Sequence, residues 1–330
     1  MSEQSKNISL PILAIIVPCY NEEEMFPTTC PVLVDLLDSL VAKGKIHNNS
    51  YVCFVNDGSR DRTWELIDTA CNTNPQRIKG IKLATNFGHQ NALMAGMMTM
   101  KDACDCMISI DADLQDDIAV IEEMVDKHQE GFKVVSGVRN KRSSDSFFKR
   151  FTAQAFYRLM HRMKVKTVYN HADFRLVDRV VVEKLALFGE VNLFLRGMFP
   201  LIGFASTEVY YDRKERLAGE TKYPLGKMLN FAWDGITSFS TYPLRLIFLM
   251  GVFIFFISIA LTFWALVPVF QGKAIAGWAS TVIPIFVFAG IQMISIGLIG
   301  EYIGKIYKEV KARPRFIIET IKNSKSKDNE

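Results

Sequence analysis

Short apolar runs alternate with amphipathic stretches along the first 140 residues. "ILAIIV" (Ile12–Val17) is continuously apolar, as a strand buried on both faces must be. "YVCFV" (Tyr51–Val55), "IKGIKLA" (78–84), "CMISI" (106–110) and "KVVSGV" (Lys133–Val138) repeat the signal. Helices are predicted between them. Pro31 opens one with Leu33, Leu36, Leu37, Leu40 and Val41 on a single stripe, ended by Gly44. "SRDRTWELIDTAC" (59–71) and the stretch from Gln90 to Met100 give two more. Repeated strand–helix–strand units predict an α/β, Rossmann-like domain whose mostly parallel sheet is covered on both faces.

Past Tyr242 the pattern changes. Leu246–Phe270 and Ala274–Gly300 contain no charged residue, and spanning hydrocarbon takes about 20 apolar residues in helix. A soluble helix of that length would show a polar face. Two transmembrane helices are therefore expected. Arg245 precedes the first, while Lys305, Lys308, Lys311, Arg313 and Arg315 follow the second, and the connecting loop carries only Lys273. The positive-inside rule then places the large domain and both termini in the cytoplasm. The start, "MSEQSKNISLPI", lacks the apolar core of a signal peptide. The expected organisation is a cytoplasmic domain over 1–224, a juxtamembrane interfacial helix over 225–242, two membrane helices with a short external loop over 243–304, and a basic cytoplasmic tail over 305–330. Phe231, Trp233 and Phe239 suit the interfacial helix to membrane lipids. Gly300 and Gly304 form a small-xxx-small face that leaves room for a homo-oligomer.

Charge and cysteine usage narrow the class. The net charge of +4 is modest, yet nine Lys or Arg and one acid, Asp145, lie between Arg139 and Lys166. The six cysteines form no Cys-x-x-Cys pair, so they read as small buried hydrophobes in a reducing compartment.

In an α/β sheet, ligands bind beyond the carboxyl ends of the strands. Four polar clusters fall there: "PCYNEEE", "NDGSRD", "TNFGHQN" and "DADLQDD". No two glycines are separated by one residue, which excludes a Gly-x-Gly-x-x-Gly dinucleotide loop, and no nucleoside-triphosphate loop is present. An acidic rim cannot hold a bare phosphate, but it can hold a divalent cation that does. Asp111, Asp113 and Gln115 offer only oxygen, suited to Mg²⁺ or Mn²⁺. Asp-x-Asp alone fits a strand turning into solvent equally well; Asp-x-Asp together with three other polar loops on the same rim does not. The same acidity argues against nucleic acid.

"VPCYNEEE", "VNDGSRDRT", "TNFGHQNAL" and "DADLQDD" resemble the successive signatures of glycosyltransferase family 2, nucleotide-sugar enzymes of the GT-A fold. "HADFRLVDR", "NLFLRG", "ERLAGETKY", "GITSFSTYPLR" and "IGEYIGKIYKEVKARPRF" look like the polyprenyl-phosphate branch, nearest the bactoprenol (undecaprenyl-phosphate) glucosyltransferases. Dolichol-phosphate mannose synthases are more distant relatives. The resemblance spans about residues 11 to 317. It implies that Pro18, Tyr20, Asn21 and Glu22 line the base and ribose and that Asp57 contacts the uracil. Asn86, Gly88 and Gln90 would lie near the diphosphate or base edge, with Asp111 and Ala112 on the donor. Asp111, Asp113 and Gln115 would hold the cation. Asp113, Asp173 and Arg216 are the catalytic candidates, Asp173 facing the sugar. Arg139, Arg216, Thr221 and Lys222 would bind the acceptor phosphate, with Thr221 where the family more often has Ser. His89 is read as structural or as a support behind the ligand-binding residues rather than a catalyst, and Asp116–Asp117, where the family has Asp-Pro, as residues that turn the chain and start the next helix.

A lipid monophosphate is already anionic at neutral pH, its second pKa lying near about 6, so it needs cations to position it rather than a strong base. The expected reaction is inverting transfer of a sugar, glucose first, from UDP-sugar to undecaprenyl phosphate. A flippase would then turn the product outward for O-antigen or other cell-surface glycan modification. UDP-N-acetylglucosamine or another nucleotide sugar is the alternative donor. A processive synthase would need more membrane helices and a Gln-x-x-Arg-Trp segment, absent here. A membrane-tethered lipid-binding scaffold ranks last.

Overall fold

The computed structural model describes residues 10–140, 171–190, 195–212 and 278–322, with scattered positions between 244 and 260. The basic run after Arg139, the residues Arg216, Thr221 and Lys222, the expected interfacial helix and more than half of the first expected span lie outside the described residues. The chain divides into two compact units. One comprises Met1–Arg158, Lys166–Tyr223 and Pro314–Glu330; the other Leu159–Val165 and Pro224–Arg313.

The first unit is built on an eight-stranded sheet of order β7-β5-β6-β4-β1-β2-β3-β8. Its strands are β1 (Leu13–Cys19), β2 (Tyr51–Asn56), β3 (Ile78–Leu83), β4 (Cys106–Ser109), β5 (Val134–Arg139), β6 (His171–Asp178), β7 (Ser206–Tyr211) and β8 (Ile318–Lys322). Parallel pairing joins β1 to β2 and β4, β2 to β3, and β5 to β7. β6 runs antiparallel to β4 and β5, and β8 antiparallel to β3. The sheet is therefore mixed, more so than the strand–helix alternation predicts. The five early strands fall within two residues of their expected positions. β1 is buried along its whole length, as its unbroken apolar run requires. Pro18 is tolerated in this central strand because β4 pairs with β1 only as far as Ile16, so no ladder bond is lost there.

The helices are α1 (Phe26–Ala42), α2 (Thr63–Thr73), α3 (His89–Met100), α4 (Ile121–Gln129), α5 (Arg179–Leu185) and α6 (Leu195–Ile202). α1 starts five residues before the expected Pro31, which lies inside it; Pro27 takes the opening position. Its end is as expected. Gly44, at φ +67°, donates to Val41 O while Lys45 donates to Leu40 O, the paired bonds of a Schellman turn. Leu33, Leu37 and Leu40 are buried against the sheet, and Phe26 meets Phe54 edge-on at 4.8 Å. All six cysteines are free and buried.

Two boundaries differ from expectation. The residues after the second uncharged stretch are not simply a tail: β8 pairs with β3 from Gly80↔Lys322 to Leu83↔Ile318, and Arg315 donates to Phe188 O. In the second unit, α7 (Trp278–Lys311) runs for 34 residues, about 51 Å at helical rise, and crosses the expected limit at 304 unbroken. Among the described residues no helix is long and apolar enough to cross a membrane. Many side chains of the uncharged part of α7 fall outside those residues.

Candidate active site

Parallel register brings the carboxyl ends of β1, β2, β3 and β4 to one rim, with Cys19 level with Asn56, Asn56 with Lys82, and Ile16 with Ser109. The four polar loops leave from this rim. An antiparallel neighbour contributes from its opposite end. Ser109 pairs with Arg175, so continuing the register two residues beyond β4 sets Asp173 level with Asp111. Asp173 stands inside β6, two residues from its start.

The loop after β1 is stapled to the loop after β2. Asn21 N–H donates to Ser59 Oγ at 3.0 Å, Glu22 N–H to Thr63 Oγ1 at 2.9 Å, and Glu23 N–H to Asp61 Oδ2 at 3.1 Å. In return Arg60 N–H donates to Asn21 Oδ1 at 2.9 Å. Asn21 sits at φ +54°, a left-handed conformation that Asn tolerates. Tyr20 beside it is exposed. A planar face next to a rigid turn suits base stacking.

Asp57 is buried, and its two oxygens accept from the Phe87 and Gly88 amides at 2.7 and 2.9 Å. Burial raises its pKa, while those two amides and the nearby His89 pull it down less strongly. Gly58 follows at φ +63°, so close to the β3–α3 loop that a Cβ would lie 2.4 Å from Thr85 C and 2.5 Å from Asn86 N. Asp57 and Gly58 thus fix the position of Asn86, Phe87 and Gly88. Gly88, at φ +88°, begins α3, and Gln90 Oε1 accepts from Leu195 N–H at 2.9 Å.

The acidic centre lies where β4 ends. Asp111 Oδ1 stands 3.5 Å and Asp173 Oδ2 3.9 Å from His89 Nε2. Burial raises the Asp111 carboxyl above its ordinary range; His89 opposes the rise, and the charges of Asp173, Asp116 and Asp113 add to it. His89 therefore stands beside both carboxylates, the supporting place its sequence context suggested. Leu114, between Asp113 and Gln115, is at φ +47°, and Gln115 N–H reaches Asp113 Oδ1 at 3.3 Å. Ala112 is buried, and its carbonyl accepts from Thr29 Oγ1 at 2.6 Å.

Could these residues hold a divalent cation? Among the described residues no group of three or more His, Cys, Asp and Glu comes together as a metal centre. Yet Gln115 is buried and its Oε1 has no hydrogen-bond partner. A buried acceptor without a donor is costly unless something else meets it. Two carboxylates and one orphaned amide oxygen within five residues offer only oxygen, the donor chemistry that a hard cation takes.

Asp116 departs most from the sequence reading. It does more than turn the chain: it is buried, and its Oδ1 accepts from Tyr211 Oη at 2.5 Å and from Arg139 Nη2 and Nε at 2.8 and 3.1 Å. Arg139, expected on the acceptor phosphate, thus has partners within its own chain. The missed members, Asp116, Tyr211 and Thr29, are residues whose role depends on which strands become neighbours, and no local motif marks that.

Residues 14–186 match the model for glycosyl transferase family 2. An uncharacterized glycosyltransferase of Bacillus subtilis, YkoT, is 51% identical over 311 residues, covering 94% of this chain and 92% of its own. A bactoprenol glucosyl transferase of Shigella phage SfX is 37% identical over 312 residues, covering 94% and 99%. Among solved structures, a mannosyltransferase of Pyrobaculum calidifontis in complex with GDP-Man and Mn²⁺ aligns over 93% of this chain and 89% of that one, at 13% identity and a TM-score of 0.44. The chain belongs to glycosyl transferase family 2 and is a glycosyltransferase with the α/β GT-A architecture that its loop motifs announce.

Proposed function

We propose that the chain transfers glucose from UDP-glucose to undecaprenyl phosphate, working at the cytoplasmic face of the inner membrane. The observation that carries this reading is similarity over 94% of the chain to bactoprenol glucosyl transferases, which extends through both uncharged stretches. Exposed apolar residues on α7, among them Met293, Ile294, Ile303 and Val310, favour a helix that meets lipid. The two membrane spans, the interfacial helix and the inward-facing termini belong to this proposal.

In this scheme Tyr20, Asn21 and Glu22 hold base and ribose, and the amides fixed by Asp57 face the donor. Asp111, Asp113 and Gln115 would hold Mg²⁺ or Mn²⁺, which neutralises charge building on the departing diphosphate. Asp173, level with Asp111 across the β4–β6 ladder, orients a sugar hydroxyl. Arg216, Thr221 and Lys222 position the acceptor phosphate, whose oxygen attacks the anomeric carbon and inverts it. Because the nucleophile is already charged, rate comes from positioning and electrostatics rather than from a strong base.

The test offers membranes containing the protein each labelled nucleotide sugar together with undecaprenyl phosphate. Label from UDP-glucose should enter the lipid phase. Label from UDP-N-acetylglucosamine instead would reassign the donor, and no lipid label from any sugar would remove the acceptor.

A further inference from the structure

The loop that carries Asp111, Asp113 and Gln115 is held from outside as well as by its own bonds from Leu114 N–H to Asp111 O and from Gln115 N–H to Asp113 Oδ1. Leu114 sits in the left-handed region, which is costly for a non-glycine residue and persists only where surroundings enforce it. Two ties enforce it. Thr29 grips the Ala112 carbonyl before the strained residue. Behind it, Asp116 Oδ1 receives Tyr211 Oη, Arg139 Nη2 and Arg139 Nε. Arg139 and Tyr211 are register partners at the carboxyl ends of β5 and β7, and Arg139 Nε also donates to Tyr211 Oη at 3.2 Å. The pocket for the tyrosine ring is purpose-shaped. A Cβ on Gly137 would meet Phe174 Cδ1 at 2.7 Å and Tyr211 Cε1 at 3.0 Å, and Phe174 packs edge-on against Tyr211 at 5.5 Å.

We propose that Asp116 and Tyr211 are positioning residues that hold the cation loop in ligand geometry by bolting it to Arg139 on the far half of the sheet. Two consequences distinguish this from a structural role alone. The lock acts on Asp113 and Gln115 through the backbone, so loosening it lowers metal affinity before it unfolds the domain. It also fixes Arg139 beside the cation loop, so donor and acceptor sides are held as one frame. The second consequence rests on the acceptor reading above; the first rests only on the expected metal loop.

The experiment uses the full chain in detergent and titrates Mn²⁺ alone, reading bound metal by electron paramagnetic resonance, then UDP in the presence of Mn²⁺ by calorimetry. Variants are Tyr211→Phe, which keeps the Asp116–Arg139 pair, Asp116→Asn, and the double change Asp116→Asn with Arg139→Gln, which replaces the buried ion pair by neutral amides. Loss of a residue that orients metal ligands typically weakens metal binding by roughly 10- to 100-fold, and Asp116→Asn should fall in that range. Tyr211→Phe should fall between it and the parent, and the double variant should recover part of the loss. Tyr211→Phe and a folded Asp116→Asn that both bind Mn²⁺ like the parent would overturn the proposal. Should Asp116→Asn not fold, the Tyr211→Phe titration decides alone. A parent that binds Mn²⁺ and UDP but labels no lipid would sink the acceptor reading and leave this inference standing.

Discussion

Replacing Gly58 by Ala should damage the protein at a point where the loops after β2 and β3 meet. The added Cβ would lie 2.4 Å from Thr85 C, 2.5 Å from Asn86 N and 2.8 Å from Thr85 Cα, all backbone atoms that cannot rotate away. The residue would also sit at φ +63°. Left-handed backbone costs an L-residue about 1–2 kcal/mol, and overpacking adds about 1–3 kcal/mol, for a total of about 2–5 kcal/mol. Gly44→Ala supplies the control, because it meets the same backbone restriction at φ +67° with nothing within 4 Å. Only the strain should appear there. Thermal unfolding of both variants, at roughly 2–4 °C per kcal/mol for a domain of this size, separates the two contributions. Gly58→Ala should also weaken UDP binding, since the β3–α3 loop must shift from the Asp57 carboxylate that holds it. Equal destabilisation by the two variants would show that the close approach of Gly58 to Thr85 and Asn86 does not exist in solution.

Two further outcomes follow from the fold. Burial favours the protonated form of Asp178, but hydrogen bonds from His128, Lys133 and the Val180 amide outweigh it and hold the carboxyl well below its ordinary range. A depressed folded pKa contributes stability that is complete above the unfolded value near about 3.9 and drains as pH falls toward the folded one. Asp178→Asn should therefore cost on the order of 2 kcal/mol at neutral pH, with the gap to the parent narrowing in acid; a gap that stays constant with pH would refute the linkage. Truncation after Arg313 removes β8, and its four paired positions on β3, at about 1 kcal/mol per backbone bond, predict a loss of on the order of 2–5 kcal/mol. Because Ala84 N–H also donates to Ile317 O at 2.9 Å, just ahead of the Asn86–Gly88 loop, UDP affinity should fall with stability. Unchanged melting of the truncated chain would mean β8 does not pair in solution.

Half the site was legible because its residues follow strands in sequence. Apolar runs fix where β1 to β4 end, and whatever polar residues come next must lie on the rim; Asn21, Asp57, Gly88 and Asp111 are placed by that rule alone. Asp116 was misread for the opposite reason. Its burial depends on Arg139 and Tyr211, two and three strands from β4 in the sheet and 23 and 95 residues distant in sequence. β8 escaped notice on similar grounds. "FIIETIK" follows a basic run and alternates only weakly, and what makes it a strand is the open edge of β3. The antiparallel course of β6 was equally hidden, since apolar patterning says where a strand is and not which way it runs. His89 lay within a recognised motif, yet its closeness to both Asp111 and Asp173 required β4 and β6 to be neighbours.

The central claim is that Asp111, Asp113 and Gln115 hold a divalent cation for transfer of a sugar to a polyprenyl phosphate. Membranes carrying the parent chain, given labelled UDP-glucose and undecaprenyl phosphate, should place label in the organic phase. A chelator should abolish the signal, added Mn²⁺ or Mg²⁺ should restore it, and Asp113→Asn should give near-complete loss at every metal concentration. Lipid label that survives both the chelator and Asp113→Asn would contradict the metal site, and label that never leaves the aqueous phase would contradict the acceptor.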